Sequence, residues 1–158
     1  MQSSTEISLE AALPNDADVL DLYEVFIREA DEPLGEEIDL DAEIAKGPPA
    51  EMVPPNGLLL LARIGGEPAG LGGVRALDTE TAEIKSMFVS PAHRGIGLGR
   101  RLLAELERIA AERGCRAARL DTSDYLTEAI RLYLAAGYGE VPPYNDNPKA
   151  SLWFERQL

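Results

Sequence analysis

Cysteine and histidine are almost absent from this sequence. Cys115 is the only cysteine and His93 the only histidine among 158 residues. A single thiol allows no internal disulfide and no cysteine-based metal site. A serine–histidine–aspartate hydrolase would have to use His93, which is expected as a solvent-exposed loop residue beside Arg94. Positive charge is also scarce. The chain has 15 Lys and Arg against 28 Asp and Glu, a net charge of −13. That excess of negative charge argues against general affinity for nucleic acid or an anionic membrane surface. No apolar run approaches the ~20 residues of a membrane helix, and no basic region precedes an apolar stretch at the N-terminus. The expectation is a cytoplasmic protein. There is no internal repeat and no low-complexity tract. Two phosphate-binding fingerprints are missing as well. G-x-G-x-x-G fails because position 100 is Arg, and no G-x-x-x-x-G-K-[ST] run exists.

What is present is the composition of a soluble globular protein, with 45% hydrophobic and 27% charged residues. The length is expected to form one domain, residues 1–158, with a core of its own. The most informative stretch runs from Ala82 to Gly114 and reads as a strand, a loop rich in glycine and arginine, and an amphipathic helix. The loop is Arg94-Gly95-Ile96-Gly97-Leu98-Gly99, followed by Arg100 and Arg101. Glycines at alternate positions leave backbone N–H groups uncovered. They stand where a helix begins, and the first four N–H groups of a helix lack partners within it and face the positive end of its dipole. This combination describes an anion site, for a phosphate or pyrophosphate. Taken alone, it is also compatible with a structural strand-to-helix turn, or with a nucleotide as the anion.

Taken in order, the chain opens with a lead-in over Met1 to Thr5, then alternation at Ile7, Leu9 and Ala11 that suits a strand. Pro14-Asn15-Asp16 marks a turn and helix start. Val19, Leu20, Tyr23, Phe26 and Ile27 continue at helical spacing through about Ala30. The segment Asp31 to Glu43 is strongly acidic, with a short helix expected around Leu40 to Lys46, followed by a proline-rich loop from Pro48 to Pro55. Gly57 to Ile64 and Pro68 to Leu77 form a hairpin about Gly65-Gly66. Glu83 to Val89 is the next strand. Leu98, Leu102, Leu106, Ile109 and Ala110 share one face of a helix stopped at Gly114. Arg116 to Thr122 follows through that helix and is expected parallel to the strand before it. Thr127 is placed to cap a helix carrying Ala129, Ile130, Tyr133 and Leu134 and closed by Gly137. Tyr138 to Val141 and Ala150 to Arg156 form a last strand pair.

The pattern Arg94-Gly95-Ile96-Gly97-Leu98-Gly99 fits [QR]-x-x-G-x-[GA] and, with its strand and helix, resembles the coenzyme A site of the GNAT superfamily of N-acetyltransferases. The element order matches that fold over nearly the whole chain. The run from Ala129 to Tyr138 resembles the family's A-x-x-L-Y-x-x-x-G-[FY] element. The fold expected is therefore α/β: a single-domain GNAT-like mixed sheet of about six to seven strands flanked by about four helices. The resemblance departs at Leu126, where many relatives have Asn, and at Lys85-Ser86, where many close relatives read Lys-Arg. Both departures weaken the transfer of any detailed substrate.

The resemblance implies direct acetyl transfer from acetyl-CoA to a primary amine of a small molecule or peptide. It implies no metal, and although dimers are common in the superfamily, nothing in this sequence decides whether the chain is a homodimer. Arg94, Gly95, Ile96, Gly97, Leu98, Gly99 and Arg100 would bind the diphosphate, with the arginines adding charge-assisted bonds. The backbone of Met87, Phe88 and Val89 would align the pantetheine arm and polarise the thioester carbonyl, a role worth roughly 2.7–4 kcal/mol elsewhere. Presenting a lysine-like amine of pKa ~10.4 in neutral form at pH 7 costs about 4–5 kcal/mol. Glu83 is the candidate base, four residues before Met87 and on the same sheet face if no bulge intervenes. Tyr133 matches the tyrosine that hydrogen-bonds the departing sulfur. The acceptor would enter between the acidic Asp31–Glu43 segment and the loop Tyr144-Asn145-Asp146-Asn147, whose carboxylates suggest a cationic acceptor. A CoA-binding regulatory or interaction module without turnover is the alternative reading.

Overall fold

The computed structural model describes residues 6–158. The lead-in at Met1 to Thr5 lies outside the described residues. Four α-helices and seven strands follow in the order β1 (Ile7–Ala12), α1 (Ala17–Asp31), α2 (Leu40–Lys46), β2 (Gly57–Ile64), β3 (Glu67–Ala76), β4 (Thr81–Val89), α3 (Leu98–Glu112), β5 (Ala117–Thr122), α4 (Thr127–Ala135), β6 (Gly139–Val141) and β7 (Leu152–Gln157). Short 3-10 turns occupy Glu32–Glu37 and Pro91–His93. The sheet order is β1-β2-β3-β4-β5-β7-β6. Among the described strands only β4 and β5 pair in parallel, as the intervening α3 requires.

Hydrophobic patterning explains the two packed faces. In GLLLLARI of β2, Leu60 and Ala62 face α3, while Leu59 and Leu61 face α1. A strand buried on both faces reads as a continuous apolar run rather than an alternating one. Leu98, Leu102, Leu103 and Leu106 of α3 join Ile84, Leu120 and Phe154 in one core. Val19, Leu22 and Ile27 of α1 join Met52, Leu71 and Phe88 in the other. Each such fully buried side chain contributes about 1.5–3 kcal/mol. The hairpin between β2 and β3 turns on Gly65 and Gly66, with φ of 57° and 87°, as a two-residue primed turn demands.

Two features of β4 shape the opening in the sheet. First, Lys85 lies opposite Gly73 and Phe88 opposite Leu71, so Ser86 and Met87 together face Gly72. This is a β-bulge, and Ser86 takes a positive φ of 59° within it. Gly72 leaves the space: a Cβ there would lie 2.8 Å from the Met87 sulfur and 2.9 Å from Leu106 Cδ1. The bulge reverses the side-chain alternation. Met87 packs on the α3 side, as do Ala82 and Ile84, whereas Phe88 packs on the α1 side. The expectation that Glu83 and Met87 share a face is therefore corrected, because the extra residue turns them to opposite faces. Second, β4 and β5 pair only through Thr81–Glu83 and Ala117–Arg119. Beyond that point the strands diverge and the sheet opens.

Two smaller expectations also change. Thr127 is the first helical residue of α4, Leu126 takes the N-cap position, and no side chain caps the helix. His93 is half-buried in a 3-10 turn, with Nδ1 2.6 Å from Ser90 Oγ, rather than a free loop residue.

Candidate active site

Two adjoining cavities occupy the opening between β4 and β5. The larger, of about 530 Å³, reaches the start of α3. The smaller, of about 330 Å³, extends toward α1, α2 and the loop between β6 and β7. Phe26, Ala30, Met87, Leu126, Ala129 and Tyr133 line both and form the junction.

At the far end of the larger cavity, Gly97 is the N-cap of α3 in a left-handed conformation, and no side chain caps the helix. The first backbone bond into the helix runs from Arg101 N–H to the Gly97 carbonyl, which leaves the N–H groups of Leu98, Gly99 and Arg100 without intrahelical partners. Gly95 and Gly97, with φ of 87° and 82°, have open space where a Cβ would stand. The residue types needed for an anion site thus come together here. Arg100 lines the cavity, and Arg101 is outside its lining. Ile96 is exposed to solvent and does not line the cavity. Arg94 lines it but is already engaged. Its Nε donates to the Val89 carbonyl at 3.0 Å, its Nη2 donates to Glu29 of α1, and its guanidinium lies 5.6 Å from the Phe88 ring centre. The edge of β4 from Ile84 to Val89 runs along the two cavities without a β5 partner, Met87 to Val89 along the larger one, so an extended ligand has backbone groups to pair with besides the Val89 carbonyl that Arg94 holds.

Tyr133 sits at the junction. It is 6% exposed, and among the described residues its hydroxyl has no hydrogen-bond partner. A buried hydroxyl left unpaired is unfavourable by about 1–3 kcal/mol. Its position suggests a ligand as the missing partner. Burial, and then the negative charge of Asp121, push the Tyr133 pKa well above the ordinary phenol value. The side chain therefore stays protonated, and a donor, across the neutral range.

Glu83 lines neither cavity. Its carboxylate is 1% exposed and fully engaged: Oε1 accepts from Arg75 Nε at 2.8 Å, and Oε2 accepts from the Tyr144 hydroxyl at 2.7 Å and Asn145 Nδ2 at 3.4 Å. Burial and the hydrogen bond to Glu83 raise the Tyr144 pKa strongly. The carboxylate that does face the smaller cavity is Asp121, at the end of β5 with a side chain 7% exposed. Its oxygens accept from Asn145 Nδ2 at 2.8 Å and Asn147 Nδ2 at 3.1 Å. Sequence reasoning passed over Asp121 as part of a strand. The available signal was its place at the carboxyl end of a strand in a parallel pair, where open α/β sheets bind ligands.

The β6–β7 loop closes the other wall. Lys149 Nζ bonds Asp31 at 2.6 Å and Glu43 at 2.5 Å, tying the loop to α1 and α2. Burial opposes the charge on Lys149, but the bonds to Asp31 and Glu43 together outweigh it and raise its pKa. The same bond from Lys149, and one from Lys46, hold Glu43 below the usual carboxylate range. Of the acidic segment, Asp31 and Glu43 reach the cavity, while Glu32, Glu36, Glu37, Asp39 and Asp41 do not line it.

Comparison with known proteins agrees with this geometry. Residues 18–138 match the acetyltransferase (GNAT) family. An uncharacterised N-acetyltransferase of Schizosaccharomyces pombe is 31% identical over 99% of this chain and 97% of its own length. An IAA acetyltransferase of Azospirillum brasilense is 40% identical over 63% of this chain and 67% of its own. The structure of the PaiA N-acetyltransferase of Thermoplasma acidophilum, in complex with coenzyme A, superposes with a TM-score of 0.77 at 15% identity, covering 97% of this chain and 99% of that one. With the seven-stranded mixed sheet, the uncapped glycine-rich helix start and the paired cavities, these likenesses establish that the chain belongs to the acetyltransferase (GNAT) family, whose chemistry is acyl transfer.

Proposed function

We propose that this protein, as a single catalytic domain, moves an acetyl group from acetyl-CoA to a primary amine of a small molecule or peptide by direct transfer. The observation that carries this reading is the buried, unpartnered Tyr133 hydroxyl at the meeting point of two cavities, one of which ends on an uncapped helix N-terminus. The residues present fit coenzyme A in three ways. The α3 N–H groups and Arg100 suit a diphosphate, the unpaired edge of β4 suits an amide-bearing arm, and Tyr133 suits a sulfur at the end of that arm.

When bound, acetyl-CoA supplies the activated thioester carbonyl. The chain does the rest. Leu98, Gly99 and Arg100 hold the charged end, with Arg94 adding charge once Glu29 gives way. The backbone of Met87, Phe88 and Val89 fixes the arm and orients the reacting carbonyl. Asp121 takes the proton of the acceptor amine, because it faces the acceptor cavity whereas Glu83 is enclosed by Arg75, Tyr144 and Asn145. Glu83 holds Asn145, which in turn holds Asp121. Tyr133 donates to the leaving sulfur. With its pKa raised above an ordinary phenol, it stabilises a thiolate of conjugate-acid pKa about 8.5 chiefly as a hydrogen-bond donor.

The test is thiol release from acetyl-CoA with a panel of amines, run on wild type, Asp121→Asn, Glu83→Gln and Tyr133→Phe. General acid–base roles are worth about 10²–10⁴-fold, so Asp121→Asn should fall by that much. A large loss in Glu83→Gln with Asp121→Asn unaffected would return the base to Glu83. Binding of acetyl-CoA without turnover of any amine would favour a non-catalytic CoA-binding module.

A further inference from the structure

The smaller cavity contains an ammonium group that has no hydrogen-bond partner among the described residues. Lys85 of β4 lines it with a side chain 22% exposed. Its Nζ lies 3.7 Å from Asp121 Oδ2 and 3.9 Å from Glu83 Oε2, and among the described residues it donates no side-chain hydrogen bond. Neither carboxylate depends on it. Glu83 is satisfied by Arg75 and Tyr144, and Asp121 by Asn145 and Asn147. The other lysine in the cavity, Lys149, is in the opposite condition, bonded to both Asp31 and Glu43. Lys85 is therefore ion-paired without being hydrogen-bonded, and its ammonium has N–H donors to offer to something inside the cavity.

We infer that the acceptor is a free α-amino acid with an uncharged side chain, whose carboxylate is bound by Lys85 while its reacting amine lies against Asp121. This inference rests on the acyl-transfer reading and names its substrate class. Lys85 and Asp121 present a positive and a negative charge 3.7 Å apart. An α-amino carboxylate carries its own two charges close together, with nitrogen and carboxyl carbon roughly 2.5 Å apart by standard bond lengths. Laid antiparallel, the two pairs match. The placement also suits the chemistry. Asp121 and Tyr133 line the same cavity, so an amine on Asp121 shares it with the hydroxyl that faces the leaving sulfur. Phe26, Ile27 and Leu126 give part of the lining an apolar surface, which favours an uncharged side chain. A polyamine fits poorly, because it would set further ammonium groups beside Lys85 and Lys149. Of the acidic segment that suggested a cationic acceptor, Glu32, Glu36, Glu37, Asp39 and Asp41 do not line the cavity, and Asp31 and Glu43 are balanced by Lys149 and Lys46 together.

The test compares α-amino acids with the amines formed by removing their carboxyl group, phenylalanine against phenethylamine and leucine against isopentylamine. A hydrogen bond to a charged group is worth about ten- to a hundred-fold in affinity. Wild type should prefer the amino acid in kcat/KM by about that factor, and Lys85→Met should reduce the preference about ten-fold or more, with Lys85→Arg retaining part of it. Unchanged affinity for coenzyme A would show that Lys85→Met is folded. Equal kcat/KM for the two members of each pair in wild type, or an unchanged preference in Lys85→Met, would overturn the inference. A second arm titrates N-acetylphenylalanine and N-acetylleucine into wild type and Lys85→Met and needs no turnover. If no acceptor is acetylated, the acyl-transfer reading fails, and this arm alone decides. Weaker binding in the variant would sustain the carboxylate site, and equal or no binding would overturn it.

Discussion

Tyr133 and Glu83 illustrate opposite fates for a polar side chain buried in the same domain. The hydroxyl of Tyr133 has no partner among the described residues, whereas the carboxylate of Glu83 has three. Removing the first should leave the fold intact and damage the chemistry. Tyr133→Phe is expected to lower kcat by about 10²-fold or more with melting temperature unchanged or raised, because an unsatisfied group disappears. Removing a partner of the second should damage the fold. Arg75→Met is expected to destabilise by about 3 kcal/mol in denaturant unfolding, the lower end for a broken buried pair because Tyr144 and Asn145 remain on Glu83. Glu29 shows a third relation. It occupies the Arg94 guanidinium within the larger cavity, in competition with any incoming phosphate. Glu29→Gln is expected to tighten coenzyme A binding about two- to five-fold by calorimetry, the range of a partly exposed ion pair.

Elements decide which of these side chains meet. Helices and strands were legible because their signals are local: GLLLLARI with Gly65-Gly66 for the hairpin, the Leu98–Leu102–Leu106 spacing for α3, and Gly114 for its end. The glycine-rich start of α3 was legible for the same reason. The bulge in β4 was not. It depends on Gly72 of the neighbouring strand yielding space to Met87, a pairing that the order of residues along β4 does not encode. One extra residue then turned Glu83 away from Met87, and with it went the simplest geometric case for Glu83 as base. The insertion of β7 between β5 and β6 was equally hidden, and it brings Asn145 and Asn147 onto Asp121. The packing at the bulge has its own consequence. Gly72→Ala is expected to destabilise by about 1 kcal/mol, the low end for overpacking, because its Cβ would lie under 3 Å from the Met87 sulfur and Leu106 Cδ1, outer side-chain atoms that can shift aside. By displacing Met87 it should also raise the KM for acetyl-CoA.

At the scale of the whole molecule, buried phenols tie stability to pH. Tyr133, Tyr138 and Tyr144 all have pKa values raised above the ordinary value, each first by burial, then by Asp121, Glu107 and Glu83 respectively. A folded-state pKa above the unfolded one means that the folded state holds its proton more tightly. The associated stability is complete below about pH 10 and falls as pH rises further. Melting temperature should therefore drop steeply above about pH 10, with the tyrosines ionising as the protein unfolds. Reversible ionisation of all three near pH 10 in the folded protein would contradict this. Charge acts at the same scale. The net charge of −13 disfavours any polyanion, so binding of a coenzyme with several phosphates must rest on the local start of α3. Calorimetric titration with acetyl-CoA of wild type and of Gly97→Glu, which sets a carboxylate into that start, therefore tests the central claim most directly. Micromolar binding by wild type that is lost in the variant is the predicted result. Absence of binding by wild type, or equal binding by both, would contradict it.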